Sequence, residues 1–420
     1  MWVTNSQSPH CIDISADSPM SVEFPPLSVA GRDSLLRATL AQQLGEESPT
    51  VAIVSSPLTI RWLTGFTGSA GLVVVSLGAD RPMHLITDGR YAEQAATQIA
   101  SSGASCDVVI ESSMSTIRLA AARQIATVVG SVGSVRIGFE PNNLVVADFS
   151  ALEDELRKAL GEFGLALEAR SWVSIEPSVV EVRRTKSPDE VLRITRAAAI
   201  ADAALRDVRH LLVPGISERE LRHHLETAMR VHGSDGPSFD TIVAFGPNAA
   251  LPHHRPSHRV LGEAETVVLD FGAMVDGYHS DMTRSFVSAG PEHLRQPLLE
   301  RHRAVRLACE AGVARVAPGV RTSDIDGACR AVLAEAGLES ELNHGIGHGV
   351  GLAIHESPWV NPRSADILRC GDVVTVEPGA YRVGLGGIRV EELLLVTETG
   401  HSVLTHSPKD PACPPSPPTI

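Results

Sequence analysis

Apolar residues over the first 140 positions gather in short continuous or alternating runs: VAIVSS at 51–56, GLVVVS at 71–76, MHLITD at 83–88 and VRIGFE at 135–140. Runs of this length, bounded by turn formers, predict β-strands. STIRLAAARQIATVVG at 115–130 and VVADFSALEDELRKAL at 145–160 instead place apolar residues at helical spacing. Strands alternating with helices predict an α/β domain over residues 29–177. The pattern changes at RRTKSPDE. There Ser187 suits an N-cap, Pro188 the first helical position and Glu190 the closing residue of a capping box. Val191, Ile194, Ala198 and Leu205 continue at helical spacing, so a long helix is expected to open a second domain over residues 178–405. Residues 1–28 are polar and irregular and are expected to form a mobile arm. The proline-rich residues 406–420 are expected to be an extended, disordered tail.

The second domain contains an internal repeat. VPGISERELRHHLETAMRVHG, from Val213, resembles APGVRTSDIDGACRAVLAEAG, from Ala317. Each has Pro-Gly, then a cap-like Ser or Thr, then an amphipathic helix. Downstream, VVLDFGA (267–273) matches VTVEPGA (374–380), and GYHSD (277–281) matches GIRVE (387–391). Asp270 thereby corresponds to Glu377, and Asp281 to Glu391. Two such halves would pack about a pseudo-two-fold axis with four acids near it.

Composition narrows the setting. A chain of 420 residues with 43% hydrophobic and 20% charged residues is a soluble globular type. Its net charge of −14 argues against nucleic acid or an anionic membrane as partner. No apolar run reaches the roughly 18 residues of a membrane-spanning helix, and no signal peptide is evident at the start. Cys11, Cys106, Cys309, Cys329, Cys370 and Cys413 lack CxxC spacing. They are expected to be reduced thiols of a cytoplasmic protein.

Four carboxylates converging in a core repel one another unless cations neutralise them. HGIGHGVGLAIHESP (344–358) adds His344, His348 and His355 close to the second pair of acids. One imidazole with four carboxylates suits Mn²⁺, Fe²⁺, Co²⁺ or Zn²⁺. Carboxylates able to bridge suggest two such ions.

The set Asp270, Asp281, His348, Glu377 and Glu391 resembles the metal ligands of the pita-bread metallopeptidases, which include methionine aminopeptidase, aminopeptidase P and prolidase. RWLTGFTGSAGLVVV and TDGRYAEQA resemble the amino-terminal domain of the aminopeptidase P/prolidase branch. RRTKSPDE, FGPNAALPHHRPS, DFGAMVDGYHSDMTRSF, GIGHGVGLAIHESP, VEPGAY and GIRVEE resemble its catalytic domain. The resemblance covers nearly the whole chain. It implies a two-domain α/β protein: a creatinase-like N-terminal α/β domain followed by a pseudo-two-fold α+β catalytic domain of the pita-bread type.

The resemblance also implies roles. Asp270, Asp281, His348, Glu377 and Glu391 would hold two divalent ions per chain, Mn²⁺ foremost and Co²⁺, Zn²⁺ or Fe²⁺ as alternatives, with Asp281 and Glu391 as bridges. Water acidified by the ions would attack the carbonyl, and Glu377 would relay a proton. His253 and His355 match histidines that contact substrate and stabilise the tetrahedral intermediate. His344 would line the pocket and Arg389 would orient its neighbours. His223, His224 and His254 match no such role and are expected at the surface. The implied partner is a proline-containing peptide, and the implied assembly a homodimer or larger homo-oligomer. The activity read from this is that of an Xaa-Pro aminopeptidase. Xaa-Pro dipeptidase (prolidase) is the alternative, ahead of a non-peptidase C–N hydrolase or an inactive binding protein of the same fold. Arg255, Arg284 and Arg389 are the cations available to a substrate carboxylate.

Overall fold

The computed structural model describes residues 25–78, 81–132 and 135–413. The N-terminal domain is built on a six-stranded sheet in the order Cys106–Glu111, Met83–Asp88, Leu72–Ser76, Val51–Val54, Ile137–Phe139, Trp172–Ser174. Leu72–Ser76 runs antiparallel to both of its neighbours, and the other pairs are parallel. The run Val51–Val54 is buried on both faces, and its alternate residues serve two cores. Val51 and Ile53 pack with the helices Met114–Val132 and Val146–Gly161. Ala52 and Val54 pack with Leu36, Leu40, Ile60 and Leu63 from helices on the opposite face. This second core continues into the catalytic domain through Ile194, Ala198, Val373, Leu393 and Leu404.

The long helix begins where its capping chemistry places it, at Pro188, and runs to Val208. Ser187 Oγ accepts from Glu190 N, and Glu190 Oε2 accepts from Ser187 N at 2.8 Å. Glu190 does more than close this box. Its buried carboxylate pairs with Arg32 of the N-terminal domain at 3.2 Å and accepts the Tyr278 hydroxyl at 2.9 Å.

Two similar halves make up the catalytic domain. In the first, Met282–Val287, Thr266–Phe271 and Ile242–Phe245 form a three-stranded sheet. In the second, Glu392–Val396, Val373–Val376 and Gly347–Gly349 take the same order, extended by Glu356–Val360 and His401–Val403. Each half carries two helices, Pro188–Val208 with Glu218–Val231 and Glu292–Val313 with Thr322–Glu335, over its own apolar core. The repeat extends to backbone hydrogen bonds. Gly215 N donates to Leu261 O and Leu261 N to Ile216 O; Gly319 N donates to Leu368 O and Leu368 N to Val320 O. The caps differ, because Ser217 closes a capping box with Glu220 whereas Thr322 is already helical and Arg321 offers no side-chain cap.

A hairpin links Asp270 to Asp281, pairing Ala273–Val275 with Tyr278–His279. Its two-residue tip, Asp276-Gly277, has φ of 46° and 68°, the positive values that a type I′ turn requires. Arg61 of the N-terminal domain grips that tip, donating to Asp276 O at 2.6 Å and pairing with its carboxylate, which also receives Arg193 Nε at 2.6 Å.

Both expected termini need correction. Leu27, assigned to the mobile arm, is buried in the inter-domain core, and Pro25 O accepts from Arg193 Nη2 at 2.7 Å. Residues 406–413 are a fixed strap rather than a disordered tail. His406 N and Ser407 N donate to Asp202, Arg284 Nε donates to Ser407 O at 2.9 Å, and Val287 N donates to Pro411 O at 2.8 Å. The remaining parts of the arm and tail, residues 1–24 and 414–420, lie outside the described residues. No described helix is long and apolar enough to cross a membrane. Cys106, Cys309, Cys329, Cys370 and Cys413 are free thiols.

Glu190→Ala should lower the free energy of unfolding by about 3 kcal/mol, since it removes a cap and strands a buried guanidinium. Denaturant titration checks this; a loss below about 1 kcal/mol would show that the inter-domain contact contributes little.

Candidate metal centre and substrate cavity

Asp270 lies on the strand Thr266–Phe271, opposite Thr283. Asp281 immediately precedes the partner strand Met282–Val287. In the second half Glu377 immediately follows Val373–Val376, and Glu391 immediately precedes Glu392–Val396. Because Val376 stands opposite Glu392, one more step of that register brings Glu377 opposite Glu391. Glu391 N also donates to Thr283 O at 3.2 Å, joining the two halves at the acids.

Four of the five expected ligands come from these strand ends, and the fifth, His348, comes from the strand Gly347–Gly349. Carboxylate oxygens of Asp270, Asp281 and Glu391 lie within 4.8 Å of one another. His348 Nε2 is 3.6 Å from Asp281 Oδ2 and 3.5 Å from Glu377 Oε1. Its Nδ1 lies 3.1 Å from Gly349 O, which can only accept, so the proton is assigned to Nδ1 and the lone pair to Nε2, facing the acids. Burial, reinforced by the charge of His355, holds His348 down at about 4, so it is neutral near pH 7.

The acids are strained electrostatically. Burial and then the other three carboxylates push Asp281 well above the ordinary range; burial and Glu391 do the same for Glu377. Glu391 is pushed to about 8 by burial and Asp270. Arg389 relieves part of this, pairing with Asp270 and lying 3.8 Å from Glu377 Oε2. Thr283 Oγ1 donates to Glu391 Oε2 at 2.8 Å, but the buried Glu391 Oε1 has no hydrogen-bond partner among the described residues. An orphaned carboxylate oxygen beside two further carboxylates and an imidazole lone pair is a donor set that fits divalent cations.

The cluster forms part of the wall of a cavity of 1330 Å³. Also lining it are His253, His344, His355 and Arg389, so all nine residues singled out from the sequence meet in one region. The ring of His355 stands edge-on to His348, with centroids 4.4 Å apart. His344 is held down at about 4, chiefly by burial and then by Arg389. Its Nδ1 contacts Gly345 O at 2.6 Å, which assigns the proton there; Nε2 then accepts from the Tyr381 hydroxyl at 2.9 Å. Arg389 Nη1 in turn donates to Tyr381 at 2.7 Å. A continuous line of hydrogen bonds thus joins His344, Tyr381, Arg389 and Asp270.

Two sequence expectations change. His254 is not a surface histidine: its side chain is 10% exposed, and Nε2 lies 2.8 Å from the fully buried Glu218 carboxylate. His223 and His224 are exposed, as expected. Arg284 is unavailable to substrate, because it is buried behind the acids, donating to Glu391 O and Ser407 O and pairing with Glu392. Tyr381 and Thr283 were missed. Thr283, two residues after Asp281 on an extended segment, was open to period-two reasoning, whereas Tyr381 carried no signal beyond its place in VEPGAY.

Residues 193–398 match Metallopeptidase family M24, and residues 37–202 match the Creatinase/Prolidase N-terminal domain. Fold and site together define a two-domain metallopeptidase. The chain belongs to metallopeptidase family M24, in the branch with a creatinase/prolidase N-terminal domain. It is 37% identical over 358 residues to the uncharacterized peptidase YqhT of Bacillus subtilis, covering 85% of this chain and 94% of that one. Among solved structures, an Xaa-Pro dipeptidase from Bacillus anthracis has a TM-score of 0.78 at 33% identity, over 90% of this chain and 98% of that one. An X-Pro aminopeptidase from Thermotoga maritima has a TM-score of 0.73 at 28% identity, over 89% of this chain and 98% of that one.

If repulsion dominates the metal-free centre, Glu391→Gln should raise the melting temperature of chelator-treated protein by roughly 3 °C, the scale of ~1 kcal/mol. The same variant should gain much less stability than the wild type from an added divalent ion, with Mn²⁺ as the probe. Differential scanning calorimetry with and without Mn²⁺ checks both. A metal-free variant no more stable than the metal-free wild type would contradict the repulsion.

Proposed function

We propose that the chain is a dinuclear metallopeptidase acting on the bond before proline, as an Xaa-Pro aminopeptidase. The observation that carries this reading is the size of the cavity. Its 1330 Å³ exceeds the roughly 300–1,000 Å³ typical of small-ligand sites and leaves room for residues beyond an Xaa-Pro pair. The Xaa-Pro bond is a tertiary amide without N–H, so a peptidase for it must fix the carbonyl instead of that donor.

Divalent ions held by Asp270, Asp281, His348, Glu377 and Glu391, Mn²⁺ foremost, would supply Lewis acidity and acidify water. The protein groups do the rest. Glu377 faces the cavity and can take a proton from the attacking water and return it to the proline nitrogen. His253 and His355, both exposed to the cavity, donate to the carbonyl oxygen as charge develops on it. Asp240 lines the cavity, is exposed, and has no ion-pair partner among the described residues, so it offers a counter-charge to a free α-amine. Arg389, tied to Asp270 and Tyr381, holds the ligand acids in place instead of binding peptide.

One observation favours a second reading, Xaa-Pro dipeptidase. Arg255 and Arg363 also line the cavity, are exposed, and form no ion pair among the described residues. Either guanidinium could hold the carboxylate of a C-terminal proline.

The expected outcome is hydrolysis of Xaa-Pro-Yaa-Zaa tetrapeptides at a kcat/KM at least ~10-fold above that for the matching Xaa-Pro dipeptide, with little action on N-acetylated substrates. Cleavage of the dipeptide alone would give the assignment to the second reading. Elemental analysis should find two divalent ions per chain, and dialysis against a chelator should abolish turnover; full activity without metal would end both readings.

A further inference from the structure

Glu218 opens the helix Glu218–Val231 and is fully buried, outside the cavity lining. Its carboxylate nonetheless gathers the segment that carries His253. Oε1 accepts from Phe245 N and Asn248 Nδ2, each at 2.9 Å. Oε2 accepts from Ser257 N at 2.8 Å and Ser257 Oγ at 2.6 Å, and lies 2.8 Å from His254 Nε2. These contacts reach the end of the strand Ile242–Phe245, the turn Gly246–Ala250 and the irregular stretch that follows. His253 sits between two of the anchored positions and faces the cavity, near enough to His344 and His355 to influence both.

A buried carboxylate is tolerated when its hydrogen bonds are complete or a cation neutralises it. Among the described residues no lysine or arginine pairs with Glu218. Burial opposes its ionisation, but the donors from Ser257, His254 and Asn248 outweigh it and hold the carboxyl below its ordinary range. The positive end of the helix dipole at this N-terminus favours the same charge. An ionised carboxylate at 2.8 Å requires a proton on His254 Nε2. His254 is therefore one of the clamp's donors. Pro252 and His253 form the middle of a turn closed by His254 N on Leu251 O at 3.1 Å, so fixing His254 on Glu218 fixes the turn that carries His253 into the cavity wall.

We infer that Glu218, through His254, Ser257 and Asn248, is the positioning residue for His253. The inference rests on the reading that this cavity is the peptidase site and that His253 meets the substrate carbonyl. Only an acid can accept from all five donors with both oxygens. A glutamine keeps one acceptor oxygen and turns an NH₂ group toward the remaining donors, so one side of the clamp opens.

The test compares Glu218→Gln, His253→Ala and the double variant, all with full metal content. Two readouts are taken: steady-state kinetics on an Xaa-Pro peptide, and hydrogen exchange of residues 246–257. Glu218→Gln should lower kcat on the order of 10²-fold, as loss of one oxyanion donor does, with KM changed less than ~3-fold. The double variant should be no slower than His253→Ala within ~3-fold, because both changes remove the same contribution. A general structural defect would instead multiply the two losses. Exchange protection over 246–257 should fall at least ~10-fold, with residues 266–287 unchanged. Should Glu218→Gln fail to fold, Ser257→Ala and His254→Gln, which leave the charge in place, should each give a partial loss that vanishes in the His253→Ala background. Unchanged exchange over 246–257, or multiplicative kinetic losses, would overturn the role of Glu218. A neutral His253→Ala in an active enzyme would instead overturn the reading of His253, with the exchange result still deciding whether Glu218 holds the segment.

Discussion

Mutual repulsion among Asp270, Asp281, Glu377 and Glu391 is the constraint around which the catalytic domain is organised. Each acid lies at or beside the end of a strand whose other residues are almost all buried, so none can retreat into solvent without breaking a sheet. The ion pairs of Arg389 with Asp270 and Glu377 and the hydroxyl of Thr283 compensate only part of the charge, and one Glu391 oxygen has no donor among the described residues. Two separately cored halves, each contributing two acids, provide the rigidity needed to hold like charges together. A looser scaffold would let them part.

Much of this was legible because it depends on local periodicity. The continuous apolar run Val51–Val54 marked a strand, which the structure places between two cores, and Ser187-Pro188-Asp189-Glu190 marked a helix start that the backbone reproduces. The correspondence of Asp270 with Glu377 and of Asp281 with Glu391 was readable as a repeat. The halves are not perfect copies, however: Asp270 stands opposite Thr283, whereas Glu377 falls opposite Glu391, a two-residue difference in register that no alignment of short motifs reveals. The signals that failed share a cause. His254 looked like a spare surface group because its partner, Glu218, lies 36 residues away on another element. Residues 406–413 looked disordered because proline and charge dominate them, yet backbone contacts from Asp202, Arg284 and Val287 hold them regardless of composition.

The N-terminal domain is more than a neighbour to this centre. Arg61 and Arg193 converge on Asp276 at the tip of the hairpin whose two ends carry Asp270 and Asp281. Arg32 reaches Glu190, which in turn holds Tyr278 on the same hairpin. The spacing between the first two acids is therefore set from outside the catalytic domain as well as from within it.

The strap at 406–413, with Thr405 before it, has a consequence for how the molecule comes into being. Through Arg284 it braces the backbone at Glu391, and Thr405 and Lys409 hold the Glu392 carboxylate, yet it is synthesised after all four acids. Domains emerging from the ribosome fold from the N-terminus onward. The six-stranded sheet, complete by Ser174, can form while the acids of the second half are still untranslated. The four carboxylates can reach their braced arrangement only after Lys409 has been translated, so until then a nascent chain carries a complete first sheet and an unfinished charge cluster.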